Sequence, residues 1–406
     1  MRFWRFLANE RVTPERVIEG WSDQARSAAR GRHMLAIQDS SNIAFSTTSD
    51  DRRGLGKVAK GNAFGVVLHA MLAVDADSGA CFGLVGGKIW TRKGDVKVHH
   101  AKRPLSEKES NRWLTTAEQA EEALSQADTI TVIDDREGDF FAHWARSRDA
   151  NVHHLSRAMH DHAMVKGGTL RKAVKHVAYC AKAVIDVPQR VDRKARQAHL
   201  SLRFGSVTLK KPTRTGKELP QSVTLNFVEV VELHPPRGCK PIHWLLLTTH
   251  KVSNVKDAWQ IVAWYKQRWI IEQFFRSMKA QGLRIEDCQL ESAERLMKMV
   301  AIAARATAIV LQLVQARNGG EELDAAIAFS QEEIEALAAL NKGYSGKTAL
   351  QDNPNRKRTL AWAAWIIARR GGWSGYASHR PPGPITIHNG LKAFQNFFEG
   401  WSSKNV

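Results

Sequence analysis

The sequence predicts an α/β protein in which a strand-rich first half, a β-rich insert and a helical C-terminal part follow one another. The first half has the order β-β-β-α-β, because apolar runs of strand length surround one helix-forming run before residue 135. Short alternating strands, separated by basic turns that bear Pro or Gly, indicate the β-rich insert between about residues 158 and 243. Beyond Ser292 nearly every segment has a helical pattern.

The elements of the first half are predicted in order from their apolar runs. "HMLAIQD" is typical of a short buried strand that ends at Asp39. "AFGVVLHAMLAVDADSGACFGLVGGKIW" predicts two strands around the turn "DADSG". "TAEQAEEALSQA" then predicts a helix, and "TITVIDD" predicts a further buried strand that ends in two acids.

The later elements are two insert strands, a buried strand and several helices. "HLSLRFGSVTLKKP" and "SVTLNFVEVVEL" predict strands of the insert, and "HWLLLTT" predicts the apolar strand that follows it. The remaining runs predict helices: "AERLMKMVAIAARATAIVLQLV", "EELDAAIAFSQEEIEALAAL" and "LAWAAWIIARR".

The charge of the chain favours a polyanionic partner. The 406 residues include 60 Lys and Arg against 41 Asp and Glu, so the formal net charge is +19. Such a balance favours nucleic acid first and an anionic membrane surface second, with a basic enzyme of another kind as the alternative. With 43% hydrophobic and 25% charged residues the chain can bury a large core, which excludes a disordered protein.

Cysteine spacing and hydropathy favour a cytoplasmic location. The four cysteines lie far apart and form no C-x-x-C pair, so neither a zinc knuckle nor a disulfide framework is indicated. The opening "MRFWRFLANERV" lacks the apolar stretch of a signal peptide. The apolar run from Met299 to Val314 is interrupted by Arg305 and is shorter than the roughly 20 residues that span a bilayer. We expect no membrane partner.

Three acidic residues occupy comparable places in this pattern. Asp39 ends the first strand, Asp135 ends the strand after the first helix, and Glu272 faces outward from a later helix. Each alone is a common turn former or helix cap, but together they predict carboxylates that converge from distant segments. Converging carboxylates repel one another unless a cation lies between them, and Mg²⁺ prefers oxygen ligands. Two such ions can hold the attacking and leaving oxygens of a phosphoryl transfer.

Residues 264–279, "WYKQRWIIEQFFRSMK", predict one amphipathic helix. Wound at about 100° per residue, Tyr265, Arg268, Glu272 and Lys279 fall within an arc of about 60°. An ordinary solvated face is the alternative to a functional one, but the tyrosine and the acid flanked by two cations favour function. The opposite, packed side is predicted to hold the large apolar residues Ile270, Ile271, Phe274, Phe275 and Met278.

These four polar residues match the Y-x2-R-x3-E-x6-K signature without adjustment, and the chain resembles DDE transposases of bacterial insertion sequences, in their Tn-five-like (IS Four) group. "LAIQDSS" is similar to the first-aspartate strand of the family, with Ser40 and Ser41 where two Thr are usual. "DREGD" is similar to its D-R-E-x-D motif, and "HWLLLTT" to its W-L-L-L-T strand. The resemblance extends from about Arg11 to the C-terminus.

The resemblance implies a ribonuclease H-like core and a two-metal site. Asp39, Asp135 and Glu272 would be the catalytic metal ligands, for Mg²⁺ with Mn²⁺ as a substitute. Their reaction would be cleavage and strand transfer at the double-stranded ends of a transposon, in cut-and-paste transposition within the nucleoid of a bacterial cell.

The resemblance also implies a set of DNA-binding residues. Tyr265, Arg268 and Lys279 would hold the DNA backbone, and Arg157 in "LSRAMHD" is a candidate for a further phosphate contact. Trp244 would stack on a base flipped from the duplex during hairpin formation, with a core tryptophan as the alternative. Zinc binding by His160, Asp161 and His162 is not favoured, because no completing ligand stands at a usual spacing.

The predicted domains follow from the same elements. Residues 1–34 would be a remnant of an N-terminal DNA-binding region and its linker, residues 35–157 the first half of the core, and residues 158–243 the insert. Residues 244–317 would complete the core, and residues 318–406 would form a helical dimerisation domain. Its apolar run "LAWAAWIIARRGGW" predicts a dimer surface, with a core helix as the alternative.

Two other functions compete with an active transposase. Members of the family usually carry a helical DNA-end-binding domain before the first aspartate, and only 38 residues precede Asp39 here. A misplaced start or a truncated product is therefore expected, and a truncated product would form mixed dimers with a full-length transposase and inhibit it, or be an inactive relic. A metal-dependent nuclease or junction resolvase on the same fold is the third hypothesis, but it gives no reason for the signature spacing.

Overall fold

A computed structural model of the chain describes residues 2–45, 54–58, 63–92, 103–189, 194–213, 215–216, 218–290, 292–317, 319, 322–344, 352–376 and 378–403. The described strands are β1 His33–Phe45, β2 Gly56–Lys57, β3 Phe64–Asp75, β4 Cys81–Trp90, β5 Thr129–Asp134, β6 Val152–Arg157, β7 Ala181–Val187, β8 Arg196–Lys210, β9 Ser222–Val231 and β10 His243–Thr248. The described helices are α1 Arg2–Ala8, α2 Pro14–Glu19, α3 Asp23–Ala28, α4 Asn111–Ala123, α5 Phe141–Ala145, α6 Leu170–Lys175, α7 Val255–Lys266, α8 Trp269–Lys279, α9 Ala293–Ala316, α10 Gln331–Lys342, α11 Leu360–Arg370 and α12 Pro384–Ser402.

The chain divides into two units, and the predicted α/β class is confirmed, since both contain sheet strands and helices. Unit 1 consists of Met1–His99, Thr116–Asp128 and Trp269–Val406. Unit 2 consists of His100–Thr115 and Thr129–Arg268.

In unit 1, β3 is the central strand. It pairs antiparallel with β1 on one side, from Met34 opposite Asp75 to Phe45 opposite Phe64. On its other side it pairs with β2 and β4. The two predicted strands around "DADSG" are thus correct, and the Asp75 carboxylate stabilises their turn by accepting from the backbone N–H groups of Asp77 and Ser78. Because β3 is apolar along almost its whole length, both of its faces are buried.

The long apolar helix α9 is the main cover of the unit 1 strands. It packs against β4, α8 and α11. By length and composition alone α9 is apolar enough to cross a membrane, but more than half of its apolar window is buried inside the chain. Core helices of soluble proteins have the same length and composition, and the contacts of α9 are those of a core helix.

Two expectations for the C-terminal helices are wrong. The helix predicted over "EELDAAIAFSQEEIEALAAL" begins only at Gln331, because the Ser330 hydroxyl and the Glu333 carboxylate form a capping box there. The dimer surface predicted on α11 is not a surface, because Trp362, Trp365 and Ile366 are buried in the chain's own core. α11 packs against α9, α10 and α12.

In unit 2, the strands follow the order β5-β6-β10-β9-β8-β7. β5 and β6 are parallel, and every later neighbour pair is antiparallel. The segment between β6 and β10 contains the strands β7 to β9, as the alternating pattern predicts, and also the short helix α6, which that pattern does not predict. One apolar cluster joins these strands to the short helices: Trp144, Leu170, Val174, Val207, Leu209, Leu225, Phe227, Leu245 and Leu247.

Candidate active site

The end of β5 in unit 2 presents two neighbouring aspartates to different surroundings. Asp134 is fully buried, whereas the Asp135 side chain is 32% exposed. The chain then turns over Asp134, and a Cβ at Gly138 would lie 2.4 Å from the Asp134 Cβ, so only glycine fits there. The "DREGD" segment therefore folds so that Asp135, and not Asp134, is accessible.

Tyr265 and Arg268 contact the Asp135 carboxylate within unit 2. The Tyr265 hydroxyl donates to Asp135 Oδ1 at 3.0 Å, and an Arg268 guanidinium nitrogen lies 3.8 Å from Oδ2. Both residues are largely buried, with 3% and 7% of their surface exposed. Burial raises the pKa of Tyr265, and the Asp135 charge raises it further, so the hydroxyl stays a hydrogen-bond donor.

The single helix predicted over residues 264–279 is wrong. α7 ends at Lys266, where the N–H groups of Gln267 and Arg268 bond to carbonyls three residues back and so tighten the last turn. α8 begins at Trp269. The four residues of the predicted 60° arc therefore do not lie on one helix. Tyr265 and Arg268 belong to unit 2 and make their contacts there.

Trp244 and Arg157 lie beside Tyr265. The Trp244 and Tyr265 rings meet edge to face with centroids 5.3 Å apart. Arg157, the last residue of β6, donates to the His243 carbonyl at 2.7 Å. Burial lowers the pKa of Arg157, while nearby Tyr265 and Asp135 oppose that shift. Four residues that the sequence predicts for the site therefore lie around Asp135 in unit 2. Tyr265 and Arg268 contact its carboxylate, and Trp244 and Arg157 lie beside Tyr265.

A basic cavity of about 340 Å³ adjoins this group in unit 2. Residues at the ends of β6 and β10 line it, and part of its cationic lining comes from α6. One acid, Glu229, also lines it and is bound by Arg203 and His243. The cations and imidazole at the cavity are Arg136, Arg157, Arg171, Lys175 and His243.

In unit 1, Asp39 lies in the middle of β1. The expectation that it ends the strand is wrong, because the pairing of β1 with β3 continues for six more residues to Phe45. The neighbouring side chains of Gln38 and Ser40 hydrogen-bond the buried His69 ring at 3.0 and 2.8 Å. Since side chains alternate along a strand, Asp39 points to the opposite face, where it is partly exposed.

Glu272 and Lys279 belong to α8, which packs against β1. The apolar side of α8 is buried as predicted, and Glu272 is partly exposed. Lys279 Nζ donates to the Asn42 carbonyl of β1 and lies 3.6 Å from Glu286. Lys279 therefore ties the helix that carries Glu272 to the strand that carries Asp39.

Each of the three acids offers carboxylate oxygens of the kind that divalent cations prefer. Asp39, Asp135 and Glu272 are each partly exposed, so their carboxylate oxygens are accessible to an ion that retains water. Mg²⁺ and Mn²⁺ prefer such oxygen ligands. The donor chemistry therefore fits the metals that the sequence predicts.

Asp139 binds the backbone of His160 and the ring of His162 in "HDH". The Asp139 carboxylate accepts from the backbone N–H of Met159 and His160 and from His162 Nε2 at 2.9 Å. These contacts hold the loop after β6. In the described part of the chain, the group that has metal-binding side chains within reach of one another is a different one, Asp134, His143 and His154.

Sequence reasoning missed two features of unit 2. The basic face of α6 at the cavity was signalled only by the cluster "LRKAVK". The buried group of Asp134, His143 and His154 has spacings of nine and eleven residues, which match no usual metal motif. Tertiary packing alone brings these residues together.

Asp135 is thus a partly exposed carboxylate next to a buried cation, Arg268. The transposase DDE domain family model matches residues 35–310. The chain therefore belongs to the transposase DDE domain family.

One solved structure to which the chain has a partial similarity is that of a piggyBac transposase, described as a synaptic complex with hairpin DNA. The similarity covers 73% of this chain at 11% sequence identity, with a TM-score of 0.37. This chain spans half the length of that transposase chain.

Proposed function

We propose that the chain cleaves and rejoins DNA at transposon ends in a cut-and-paste reaction, as a member of the group that carries the Y-R-E-K signature on a ribonuclease H-like core. The observation that carries the proposal is the contact of Tyr265 and Arg268 with Asp135. Tyr265 and Arg268, the first two residues of the signature, thus hold the carboxylate of Asp135 in position. Membership of the transposase DDE domain family is independent support.

Asp39, Asp135 and Glu272 are proposed to act together as ligands of Mg²⁺ or Mn²⁺, as enzymes of this family use divalent metals. Such ions supply stabilisation of the attacking and leaving oxygens in phosphoryl transfer. The chain itself supplies the orientation of the carboxylates. Tyr265 and Arg268 fix Asp135, and Lys279 fixes α8 on β1.

DNA binding is proposed for the basic cavity and its rim in unit 2. Arg157 and Arg136 lie close to Asp135, where they can bind phosphate oxygens next to the cleaved bond. Trp244 is partly exposed with its ring edge-on to Tyr265, and it is proposed to stack on an unpaired base. The burial of Tyr265 and Arg268 favours a positioning role for them in addition to the predicted backbone contact.

Two transposon ends must be held together during a cut-and-paste reaction. A symmetric pair of protomers is the simplest arrangement that does so. We therefore propose a homodimer that acts on the DNA of a bacterial cytoplasm, with its interface outside the buried face of α11.

Tyr265→Phe is expected to lower the rate of DNA cleavage about 10- to 100-fold, because one hydrogen bond to a charged group contributes about 1.5–3 kcal/mol. The ring stays in place, so the thermal unfolding midpoint should barely change. The measurement is strand cleavage of a duplex that carries the terminal repeats flanking the gene, titrated with Mn²⁺. A rise in the Mn²⁺ concentration for half-maximal rate would mark a positioning role, and Tyr376→Phe is the control. An unchanged rate and titration would contradict the assignment.

Lys175→Ala is expected to weaken DNA binding and to reduce its salt dependence. Loss of one phosphate contact changes the slope of log K against log salt by about 0.9. Lys172→Ala is a matched control, since Lys172 is an exposed lysine of the same helix that does not line the cavity. Binding isotherms over a salt series provide the slopes. Equal slopes for the two variants would place the DNA elsewhere on the chain.

A further inference from the structure

A second candidate metal site lies in unit 2, directly next to Asp135 in the chain. Asp134 ends β5, His143 lies in α5, and His154 lies in β6. All three are buried, and one ligand atom from each lies within 4.8 Å of the others. Three separate elements thus direct an oxygen and two imidazole nitrogens to one point.

Hydrogen bonds between the described residues do not satisfy all the ring nitrogens of this cluster. Asp134 Oδ2 lies 2.5 Å from His154 Nε2 and 3.0 Å from His143 Nδ1. Neither ring nitrogen of His143 has a hydrogen bond of acceptable geometry with the described residues, and His154 Nδ1 has none either. Buried polar groups are normally satisfied, so such atoms point to a missing ligand.

We propose that Asp134, His143 and His154 bind one transition-metal ion, with Zn²⁺ as the best match. Two imidazole nitrogens and one carboxylate oxygen are a common zinc donor set, whereas Mg²⁺ prefers oxygen ligands. This site is therefore chemically distinct from the set of Asp39, Asp135 and Glu272. The second Asp134 oxygen or one water molecule would complete the coordination.

The observed spacing needs little change to accept the ion. Tetrahedral zinc with bonds of about 2.0–2.1 Å places its donor atoms roughly 3.3 Å apart. The Asp134–His143 separation of 3.0 Å is near that value, and the Asp134–His154 pair would move apart by less than about 1 Å. Bound metal would fasten the end of β5 to α5 and β6, directly before Asp135.

The test measures metal bound to the tag-free full chain. The protein is equilibrated with Zn²⁺ in the presence of excess Mg²⁺, freed of unbound metal by gel filtration, and assayed by mass spectrometry of the elements. We expect about one zinc per chain in the unaltered protein and at least tenfold less in His143→Phe. The phenyl ring of that variant can keep the stacking on Phe140 but cannot bind metal. His153→Gln is the matched control, because His153 is the neighbouring strand residue whose ring stacks on His250 instead. Glu272→Ala should keep its zinc, which separates this site from the proposed catalytic one.

A second measurement covers the case in which His143→Phe does not fold. Co²⁺ bound to the unaltered chain by nitrogen and oxygen ligands at low coordination number gives visible absorption bands, and Zn²⁺ should displace them and raise the thermal unfolding midpoint. Absence of stoichiometric zinc and of these bands in the unaltered chain would overturn the proposal. Equal zinc content in His143→Phe and His153→Gln would overturn it as well.

Discussion

Asp135→Ala is expected to reduce the rate of metal-dependent DNA cleavage by a factor of about 10³ or more, since loss of a metal ligand removes several kcal/mol of transition-state stabilisation. Asp39→Ala and Glu272→Ala should have effects of similar size. The three side chains are partly exposed, so their removal creates no large cavity. The free energy of unfolding should therefore stay within about 1 kcal/mol of that of the unaltered chain.

The measurement is strand cleavage of terminal-repeat DNA with Mg²⁺ or Mn²⁺. Glu122→Ala serves as the control, because Glu122 is an exposed acid on α4 to which no role in DNA cleavage is assigned. Near-normal cleavage by one of the three variants would remove that acid from the site. If Asp134→Asn lost only stability while Asp135→Ala lost only activity, the division of roles between the two neighbouring aspartates would be established.

Several strands were predictable because continuous apolar runs of strand length are stable only when they are buried. β3, β5 and β10 are short or medium runs of aliphatic residues bounded by polar turns, and the structure buries each of them. The end of β1 was not predictable from hydropathy. Its segment from Asp39 to Asn42 is polar and partly exposed, and the pairing with apolar β3 is what keeps it extended.

The break between α7 and α8 has no local signal. "WYKQRW" contains neither Pro nor Gly, so helix propensity favours continuation through Gln267 and Arg268. Tyr265 and Arg268 contact Asp135, which directly follows β5 and lies more than 100 residues earlier in the chain, and these contacts hold the end of α7 in place. Tertiary contacts therefore decide where this helix ends.

The other misses have different causes. The start of α10 was present in the sequence, since "SQEE" is a capping box that outweighs the helical composition before it. The buried cluster at Asp134 was not, because its members come from three elements with no motif spacing. For α11, a segment that is apolar on all sides is more typical of a buried helix than of a surface.

Trp362→Ala is expected to lower the free energy of unfolding by about 3–5 kcal/mol, the usual cost of truncating a buried aromatic residue. Trp362 is 2% exposed on α11, and α9, α10 and α12 pack around that helix, so a cavity would open in the core. Trp4→Ala is the control, because Trp4 is 49% exposed and its loss should cost no more than about 1 kcal/mol.

Urea unfolding provides the two free energies, and light scattering of the folded proteins provides the oligomeric state. A loss of this size is a large part of the roughly 5–15 kcal/mol that stabilises a domain, so the Trp362 variant should unfold at a much lower urea concentration. If α11 were instead a dimer surface, Trp362→Ala would turn a dimer into a stable monomer and leave the unfolding of the protomer almost unchanged. That outcome would contradict the burial of α11, whereas a destabilised protein with its oligomeric state intact would place the interface elsewhere.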